Sequence, residues 1–310
     1  MDAAPQTAEV ALLYHPQNQI FAWISTKNEK NATDSLLGYH RALYEHNFRI
    51  DFVHPSEFEM NILKNYKVLV IPFPYWLGEK ICSKLDQWVE AGGVLIGEAY
   101  FAGWNVEQGH HEKIVPGYGL HEVFQTRQGL VEPVIGENTE IELLENLPYL
   151  HKGSVVKGSL VRESFFIEGA RVLACHSNGQ PAVTCAEYGK GKAILIGSYI
   201  GLPFHRQKCN QNANLIAGLV EYAMPISRPR VEGNAKVRID ILTGLKNQTM
   251  IIVQNLENRS AEITAHLPFK INNKLKEQFS SEILSSIELS AGKGSKISMQ
   301  LTAKEVKVYC

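Results

Sequence analysis

The residues best placed for chemistry follow the buried strands that the sequence predicts. Glu98 comes directly after residues 94–97, and His205 lies beyond residues 193–197. Because ligands bind beyond the carboxyl ends of the strands in open parallel sheets, the two side chains are expected to converge at one edge. A carboxyl group and an imidazole there could act as a general acid–base pair. The alternative interpretation is structural: Glu98 hydrogen-bonds a neighbouring loop, and His205 forms a polar surface ledge with Arg206.

The cysteines offer no thiol chemistry at this edge. A glutamine amidotransferase of this layout would place a cysteine on the turn after residues 93–97, where this sequence has Glu98 and Ala99. The five cysteines are widely spaced and lack a C-x-x-C pair, which argues against a disulfide framework and a zinc knuckle. The HHE run at residues 110–112 resembles a metal site only in composition, since adjacent loop residues rarely point at one ion. We therefore expect no metal and no cofactor.

Aromatic side chains surround the same edge. They could stack on a sugar ring or on a partner subunit, because an aromatic ring supplies apolar area with a polar tip. Ordinary packing within the domain is the alternative, and the sequence leaves both open. The candidates for contact with a ligand or a partner are Tyr75, Trp76, Tyr100, Phe101, Trp104 and Arg206.

Strands that alternate with helices predict how these residues are positioned. Short runs that are nearly continuous in Val, Ile and Leu indicate a parallel sheet covered on both faces. Thr33 is predicted to cap the first helix, and residues 98–190 alternate over short segments that predict an antiparallel excursion from the sheet. We therefore predict a flavodoxin-like α/β fold of the class I glutamine amidotransferase type. Its parallel strands are residues 10–14, 50–53, 68–72, 94–97 and 193–197.

The last part of the chain predicts a different architecture. After Pro225 and Pro229 every periodic segment has period two, which is typical of a small antiparallel sandwich. The predicted strands are residues 237–242, 250–255, 261–267, 286–289, 296–301 and 305–309. We expect residues 1–8 to be disordered or a linker, 9–224 to form the α/β domain, 225–230 a linker and 231–310 the sandwich.

Composition excludes several classes of partner. The 310 residues are 45% hydrophobic and carry 31 basic against 32 acidic side chains, which leaves no positive excess for a nucleic acid or an anionic membrane surface. No window has the eighteen or so apolar residues of a membrane span, and the N-terminus lacks a basic head before its apolar run. The default expectation is a cytoplasmic protein, which would not hold for a fragment of a longer secreted one.

Residues 8–127 resemble the middle, amidotransferase-like "trimerisation" domain of glycoside hydrolase family 42 β-galactosidases. The resemblance rests on AEVALLY at the first strand, GYHRALYEHNFRIDFVHP over the first helix and second strand, NYKVLVIPFPYWL at the third, WVEAGGVLIGEA at the next and PGYGLHEVF beyond it. The later EYGKGKAILIGSYIG and the β-rich tail at 231–310 are similar to the end of that domain and to the small sandwich that follows it. The polar insert at residues 17–33 and the expanded region around His110 depart from the pattern.

The resemblance implies that catalysis takes place elsewhere. Those enzymes carry their two catalytic glutamates on a preceding β/α barrel, and neither can be carried over onto a position here. The family implies self-association, with a trimer as one expected number, and a carbohydrate as a further partner. The leading interpretation is a non-catalytic oligomerisation or accessory portion of such a hydrolase, with an aromatic patch near residues 73–76 and 100–104 covered by a second copy. The alternatives are an independent amidotransferase-like hydrolase that uses Glu98 and His205, and a sugar-binding module.

Overall fold

The structure is a computed structural model that describes residues 3–244, 249–271, 274–280, 282–285, 287–288 and 294–310. The chain divides into two compact units. Glu9–Ala42 and Ile50–Pro225 form the α/β unit, whereas Leu43–Arg49 and Ile226–Cys310, with the N-terminal residues up to Ala8, form the β unit.

Strands and helices alternate up to residue 97, strands predominate from residue 104 to 196, two helices follow, and the elements from residue 230 onward are strands. The strands up to residue 196 are β1 (Ala3–Pro5), β2 (Val10–Leu13), β3 (Ile50–Val53), β4 (Val68–Ile71), β5 (Val94–Gly97), β6 (Trp104–Asn105), β7 (His110–His111), β8 (Thr126–Pro133), β9 (Thr139–Leu143), β10 (Val155–Gly158), β11 (Val161–Ile167), β12 (Arg171–His176), β13 (Pro181–Tyr188) and β14 (Gly191–Ile196). The later strands are β15 (Arg230–Gly233), β16 (Val237–Gly244), β17 (Thr249–Asn255), β18 (Ala261–Leu267), β19 (Leu275–Lys276), β20 (Ile283–Leu284), β21 (Ile287–Glu288), β22 (Ser295–Leu301) and β23 (Val306–Tyr309). The helices are α1 (Pro16–Thr26), α2 (Lys30–Glu45), α3 (Glu79–Glu90), α4 (Leu120–Phe124), α5 (Gly201–Gln207) and α6 (Asn210–Ala223), with 3₁₀ helices at Pro55–Met60 and Ile62–Asn65.

A mixed nine-stranded sheet is the centre of the α/β unit. Its parallel part has the order β3-β2-β4-β5-β14, and the antiparallel strands β13, β12, β9 and β10 extend it beyond β14. All residues of β2, β4 and β5 are buried, as their continuous apolar sequences predict. The predicted α/β sheet with an antiparallel excursion is therefore confirmed. Strands β9, β10, β12 and β13 of the excursion belong to the same sheet, whereas β8 pairs with β11 and β6 with β7 in separate two-stranded sheets.

The segment predicted as a polar insert is helical. Pro16 occupies the first turn of α1, where its missing N–H costs no hydrogen bond, and Ala22 faces the core. Asn28 Oδ1 then accepts a hydrogen bond from Lys30 N at 3.0 Å at the start of α2. Thr33 therefore lies inside α2 and does not cap it, because an asparagine five residues earlier supplies the oxygen that the exposed N–H groups need.

The β unit contains two four-stranded antiparallel sheets. One has the order β1-β16-β17-β23 and the other β15-β18-β22-β21, and alternate residues of both contribute to one apolar core. Residues 3–5, expected to be disordered or a linker, form β1 because their backbone pairs with residues 242–244 of β16. Ile287 and Glu288 form β21, whereas the ends of that predicted strand, Ser286 and Leu289, lie outside the described residues.

In the described part of the chain, none of the helices has the length and apolar character needed to cross a membrane.

Candidate functional site

The carboxyl edge of the parallel sheet is organised around the Glu98 side chain, which follows β5 and is fully buried. Its Oε2 accepts hydrogen bonds from Ser35 Oγ at 2.7 Å and from Phe73 N at 3.1 Å. Its Oε1 accepts from Ile200 N at 2.8 Å and from Gly201 N at 3.3 Å. One carboxyl group thus joins α2, the loop after β4 and the start of α5.

Burial dominates the electrostatics of this carboxyl group. It raises the pKa of Glu98 above its ordinary value, and the hydrogen bonds from Ser35 and the backbone oppose the increase. Burial also raises the pKa of Tyr39 and of Tyr199, with a further contribution from the charge of Glu98. A substrate would reach Glu98 only if some of its hydrogen bonds broke.

His205 and Arg206 contact a different carboxylate. On α5, His205 Nε2 lies 3.8 Å from Asp34 Oδ1, and Arg206 Nε donates to Asp34 Oδ2 at 2.8 Å. Arg206 also donates to Asn31 Oδ1 at 2.8 Å. No hydrogen bond joins Glu98 with His205 among the described residues. The two side chains of α5 therefore interact with residues of α2.

Most of the predicted contact aromatics pack against each other. Phe21 of α1 lies 4.8 Å from Tyr75, 5.5 Å from Trp76 and 5.0 Å from Trp104, measured between ring centroids. Tyr100 lies 5.2 Å from Tyr75. We call these five residues the aromatic cluster; its members are half-buried. Internal packing therefore takes up much of the surface that was predicted to meet a partner.

Phe101 is not a contact residue on any surface. It is fully buried and packs edge-to-face on Phe124 of α4 at 4.8 Å. The sequence analysis included Phe101 among the aromatic contact candidates at this edge, but the turn after β5 directs its ring into the core and the Tyr100 ring to the pocket. Gly97 makes room for Phe101, since a Cβ at that glycine would lie 2.1 Å from the ring.

A pocket of about 480 Å³ lies beside the aromatic cluster. Ser25 and Thr26 of α1, His111, and residues of β8 and β11 complete its wall. The lining residues are Ser25, Thr26, Phe73, Tyr75, Tyr100, His111, Gln128, Val131, Leu160, Val161 and Tyr199.

Glu163 lies behind this pocket and is fully buried. Its Oε2 accepts a hydrogen bond from Tyr100 N at 2.6 Å. Burial raises the pKa of Glu163 to about 7, against the effects of the Tyr100 N–H and of the nearby Gln128 amide. Tyr100 has a left-handed backbone with φ of 59°, and this hydrogen bond helps to hold that conformation.

No group of three metal-ligating side chains occurs in the described ranges. His110 Nδ1 contacts the backbone carbonyl of His111, His111 Nδ1 contacts Tyr75 Oη at 2.8 Å, and Glu112 accepts from Asn105. These three side chains point to different partners.

The outward face of α1 carries apolar side chains in solvent. Ile20, Trp23 and Ile24 are 62%, 53% and 49% exposed and lie at helical spacing on one stripe. We call these three residues the α1 stripe. It borders a shallow groove of about 670 Å³ against α2, with the charged residues Glu29, Lys30 and Asp34 along its side.

Comparison with known proteins identifies the family. A model described as the β-galactosidase trimerisation domain matches residues 8–222. The chain belongs to this family. The match covers the α/β unit, including the α1 stripe, the aromatic cluster and Glu98.

Curated relatives in the trimerisation-domain family are β-galactosidases. β-Galactosidase bgaB of Geobacillus kaustophilus is 30% identical over 206 residues, which are 62% of this chain and 28% of that protein. β-Galactosidase GanA of Bacillus subtilis is 26% identical over 210 residues, which are 64% of this chain and 29% of GanA. This chain thus matches less than a third of the length of these relatives.

Solved structures share the fold over both units. The β-galactosidase from Bacillus circulans sp. alkalophilus matches with a TM-score of 0.76 at 18% identity, over 100% of this chain and 42% of its own. The β-galactosidase from Halorubrum lacusprofundi matches with a TM-score of 0.68 at 15% identity, over 99% of this chain and 40% of its own. The resemblance to the middle and C-terminal domains of family 42 β-galactosidases is therefore confirmed as a match to a partial segment of longer enzymes.

Sequence reasoning missed two features of the site. The α1 stripe had a signal, since Ile20, Trp23 and Ile24 have helical spacing within a segment that was interpreted as a polar insert. Glu163 had none, because a glutamate within an alternating strand normally points to solvent.

Proposed function

We propose that this chain is the self-association and accessory portion of a β-galactosidase-like glycoside hydrolase. The observation that carries the proposal is the α1 stripe: three large apolar side chains, each about half exposed or more, on a unit that matches a trimerisation-domain model. Tryptophan at the centre of such a patch is typical of residues that contribute most to an interface. The partner is a second copy of this chain.

The charged residues beside the α1 stripe support an interface with polar edges. Lys30 and Asp34 lie along the adjoining groove, and Lys27 Nζ lies 6.0 Å from the Trp23 ring centroid. An apolar centre with charged residues at its margin is the usual composition of a protein–protein contact. The interface proposed here lies on α1, whereas the sequence predicted it at the aromatic residues near 73–76 and 100–104.

The bond-breaking step belongs, in this proposal, to another part of the longer enzyme. Glu98 is closed from solvent by four hydrogen bonds, and His205 contacts Asp34. A hydrolytic acid–base pair needs both groups within reach of one substrate. We further propose that the α/β unit is flavodoxin-like and related to amidotransferases, which the parallel order β3-β2-β4-β5-β14 supports.

Sedimentation velocity over a range of concentrations tests the self-association. We expect the wild-type chain to form a defined oligomer and the double variant Ile20→Ser/Trp23→Ser to dissociate to monomers. Phe166→Ser is the matched control, because Phe166 is 65% exposed on β11, a strand that packs mainly against β8, β12 and β13. A monomeric wild-type chain, or a double variant that assembles as the wild type does, would contradict the proposal.

A hydrolysis assay with a nitrophenyl β-galactoside tests the accessory role. We expect no turnover by the 310-residue chain. Turnover that Glu98→Gln or His205→Ala abolishes, in variants that keep the wild-type unfolding midpoint, would show instead that the sheet edge is catalytic.

A further inference from the structure

The pocket beside the aromatic cluster has the shape and lining of a small-molecule site. Its volume of about 480 Å³ lies within the range of about 300–1,000 Å³ that is usual for ligand pockets. It also lies beyond the carboxyl ends of β4 and β5, since Phe73 and Tyr100 follow these strands. Open α/β sheets bind their ligands at this edge.

Aromatic rings form much of the pocket wall. Phe73 and Tyr199 stack at 4.3 Å with an interplanar angle of 19°, and Tyr75 packs against Tyr100 at 5.2 Å. The Tyr75 hydroxyl is 2.8 Å from His111 Nδ1, which fixes the orientation of the phenol. Such rings provide flat apolar faces and hydroxyl groups at their tips, the combination that suits a ring with an apolar face and a hydroxylated rim.

Two buried polar atoms at the back of the pocket lack a hydrogen-bond partner among the described residues. These are Gln128 Nε2, a donor on a lining residue, and Glu163 Oε1, on the carboxyl group behind Tyr100. The Gln128 amide opposes the increase in the pKa of Glu163 as a hydrogen-bond donor does, so the two groups lie close enough to interact with each other. A sugar hydroxyl placed between them would accept from the Gln128 amide and donate to the Glu163 carboxyl group.

The charges around the pocket select a neutral ligand. The lining contains no lysine, arginine, aspartate or glutamate. An anion would meet only the His111 imidazole, whose Nδ1 already contacts the Tyr75 hydroxyl, and would approach the buried Glu163 carboxyl group. Hydroxyl and amide groups of Ser25, Thr26 and Gln128 supply the polar contacts instead.

We propose that this pocket binds one neutral pyranose ring, stacked on the tyrosines and hydrogen-bonded to Gln128. The site goes beyond the proposed self-association and does not depend on it. The pocket is bordered by Ser25 and Thr26 at the end of α1, whereas the α1 stripe consists of other residues on the outward face of that helix. The full chain would therefore carry a sugar site of its own, separate from any catalytic barrel.

NMR titration of the full chain with three sugars of one ring shape tests this directly. The probes are methyl β-D-galactopyranoside, which is neutral, galacturonate, which is an anion, and galactosamine, which is a cation at neutral pH. We expect saturable shifts of tyrosine and Gln128 side-chain signals with the neutral sugar and at least tenfold weaker binding of galacturonate. Preference for galactosamine over the neutral sugar would overturn the ligand class, and absence of saturable binding for all three would overturn the site.

Matched variants on β8 locate the site. Val131→Trp fills the pocket and should abolish binding, whereas Leu130→Trp, on a neighbouring side chain that is 59% exposed, should leave it unchanged. Gln128→Ala should weaken binding about three- to tenfold, the loss expected for one hydrogen bond. If Val131→Trp does not fold, the Gln128→Ala variant still tests whether the sugar binds in this pocket.

Binding that persists in Val131→Trp or Gln128→Ala would overturn the location. The double variant Ile20→Ser/Trp23→Ser separates this proposal from self-association, since a monomeric variant should still bind the neutral sugar. Loss of binding in that variant, with its fold intact, would contradict the independence of the two sites.

Discussion

Replacement of Glu163 by glutamine should change the pH dependence of stability in a definite direction. Burial raises the folded-state pKa of Glu163 from its ordinary 4.5 to about 7. Below pH 4.5 both the folded and the unfolded chain hold the proton, so no penalty exists. As the pH rises from 4.5 to 7 the unfolded chain releases the proton while the folded chain retains it, and stability falls.

The magnitude follows from the two pKa values. At about 1.4 kcal/mol for each pH unit over which only one state is protonated, the contribution of Glu163 to the free energy of unfolding decreases by about 3 kcal/mol and is constant above pH 7. Glu163→Gln cannot ionise, and its amide oxygen can still accept the hydrogen bond from Tyr100 N. The stability of the variant relative to the wild type should therefore increase by about 3 kcal/mol between pH 4.5 and pH 8. Any cost of the amide that does not depend on pH cancels in this difference.

Urea unfolding followed by tryptophan fluorescence measures the difference in stability between the variant and the wild type for the α/β unit, which contains Glu163. The four tryptophans, Trp23, Trp76, Trp88 and Trp104, all lie in the α/β unit. Glu187→Gln is the control, because its side chain is exposed on β13 and the change should have little effect at either pH. A difference between Glu163→Gln and wild type that stays constant with pH, or decreases as the pH rises, would refute the reasoning.

Two further predictions use the same fluorescence assay. Burial lowers the pKa of His15 to about 4, so the unfolded chain binds a proton below pH 6.5 that the folded chain does not, and the contribution of His15 to the free energy of unfolding should fall by about 3 kcal/mol from pH 6.5 to 4. His15→Asn removes this contribution, so its stability relative to the wild type should increase by about 3 kcal/mol as the pH falls over that range, and a difference that stays constant would show that His15 is accessible in the folded state. Gly38→Ala should destabilise the α/β unit by about 1–3 kcal/mol, because a Cβ at Gly38 would lie 2.1 Å from the carbonyl oxygen of Gly201. Helix propensity alone predicts the opposite sign, a stabilisation of about 1 kcal/mol, so the sign of the change decides between the two effects.

The sequence predicted most of the sheet because its strands are buried on both faces. Residues 68–71 and 94–97 are short, continuous apolar runs, and Gly92 and Gly93 mark the turn before the second of them. Such runs predict parallel strands that are buried on both faces. The position of Glu98 at the edge followed from the same pattern. The hydrogen bonds of Glu98 could not be predicted in the same way. Three of its four donors, the Ser35 hydroxyl and the N–H groups of Ile200 and Gly201, come from residues far away in the sequence.

The side on which a residue lies was harder to predict than its element. Phe101 and Tyr100 are neighbours, but Phe101 is in the core and Tyr100 borders a pocket, because Tyr100 itself has a left-handed backbone. The α1 helix was obscured by its glutamines and asparagines, although Trp23 and its neighbours have helical spacing. The domain limits predicted at residues 9, 224 and 231 remain predictions.

Two buried carboxyl groups occupy the backbone donors around the turn after β5. Glu98 holds the N–H groups of Phe73, Ile200 and Gly201, and Glu163 holds that of Tyr100. Acyl transfer by a nucleophile at such a turn depends on N–H groups directed at the developing oxyanion, and loss of one such donor costs about a hundredfold or more in rate. A cysteine introduced at residue 99 would find these four donors already engaged. Conversion of this edge into a working amidase would therefore require removal of the same two carboxyl groups that hold its loops in place.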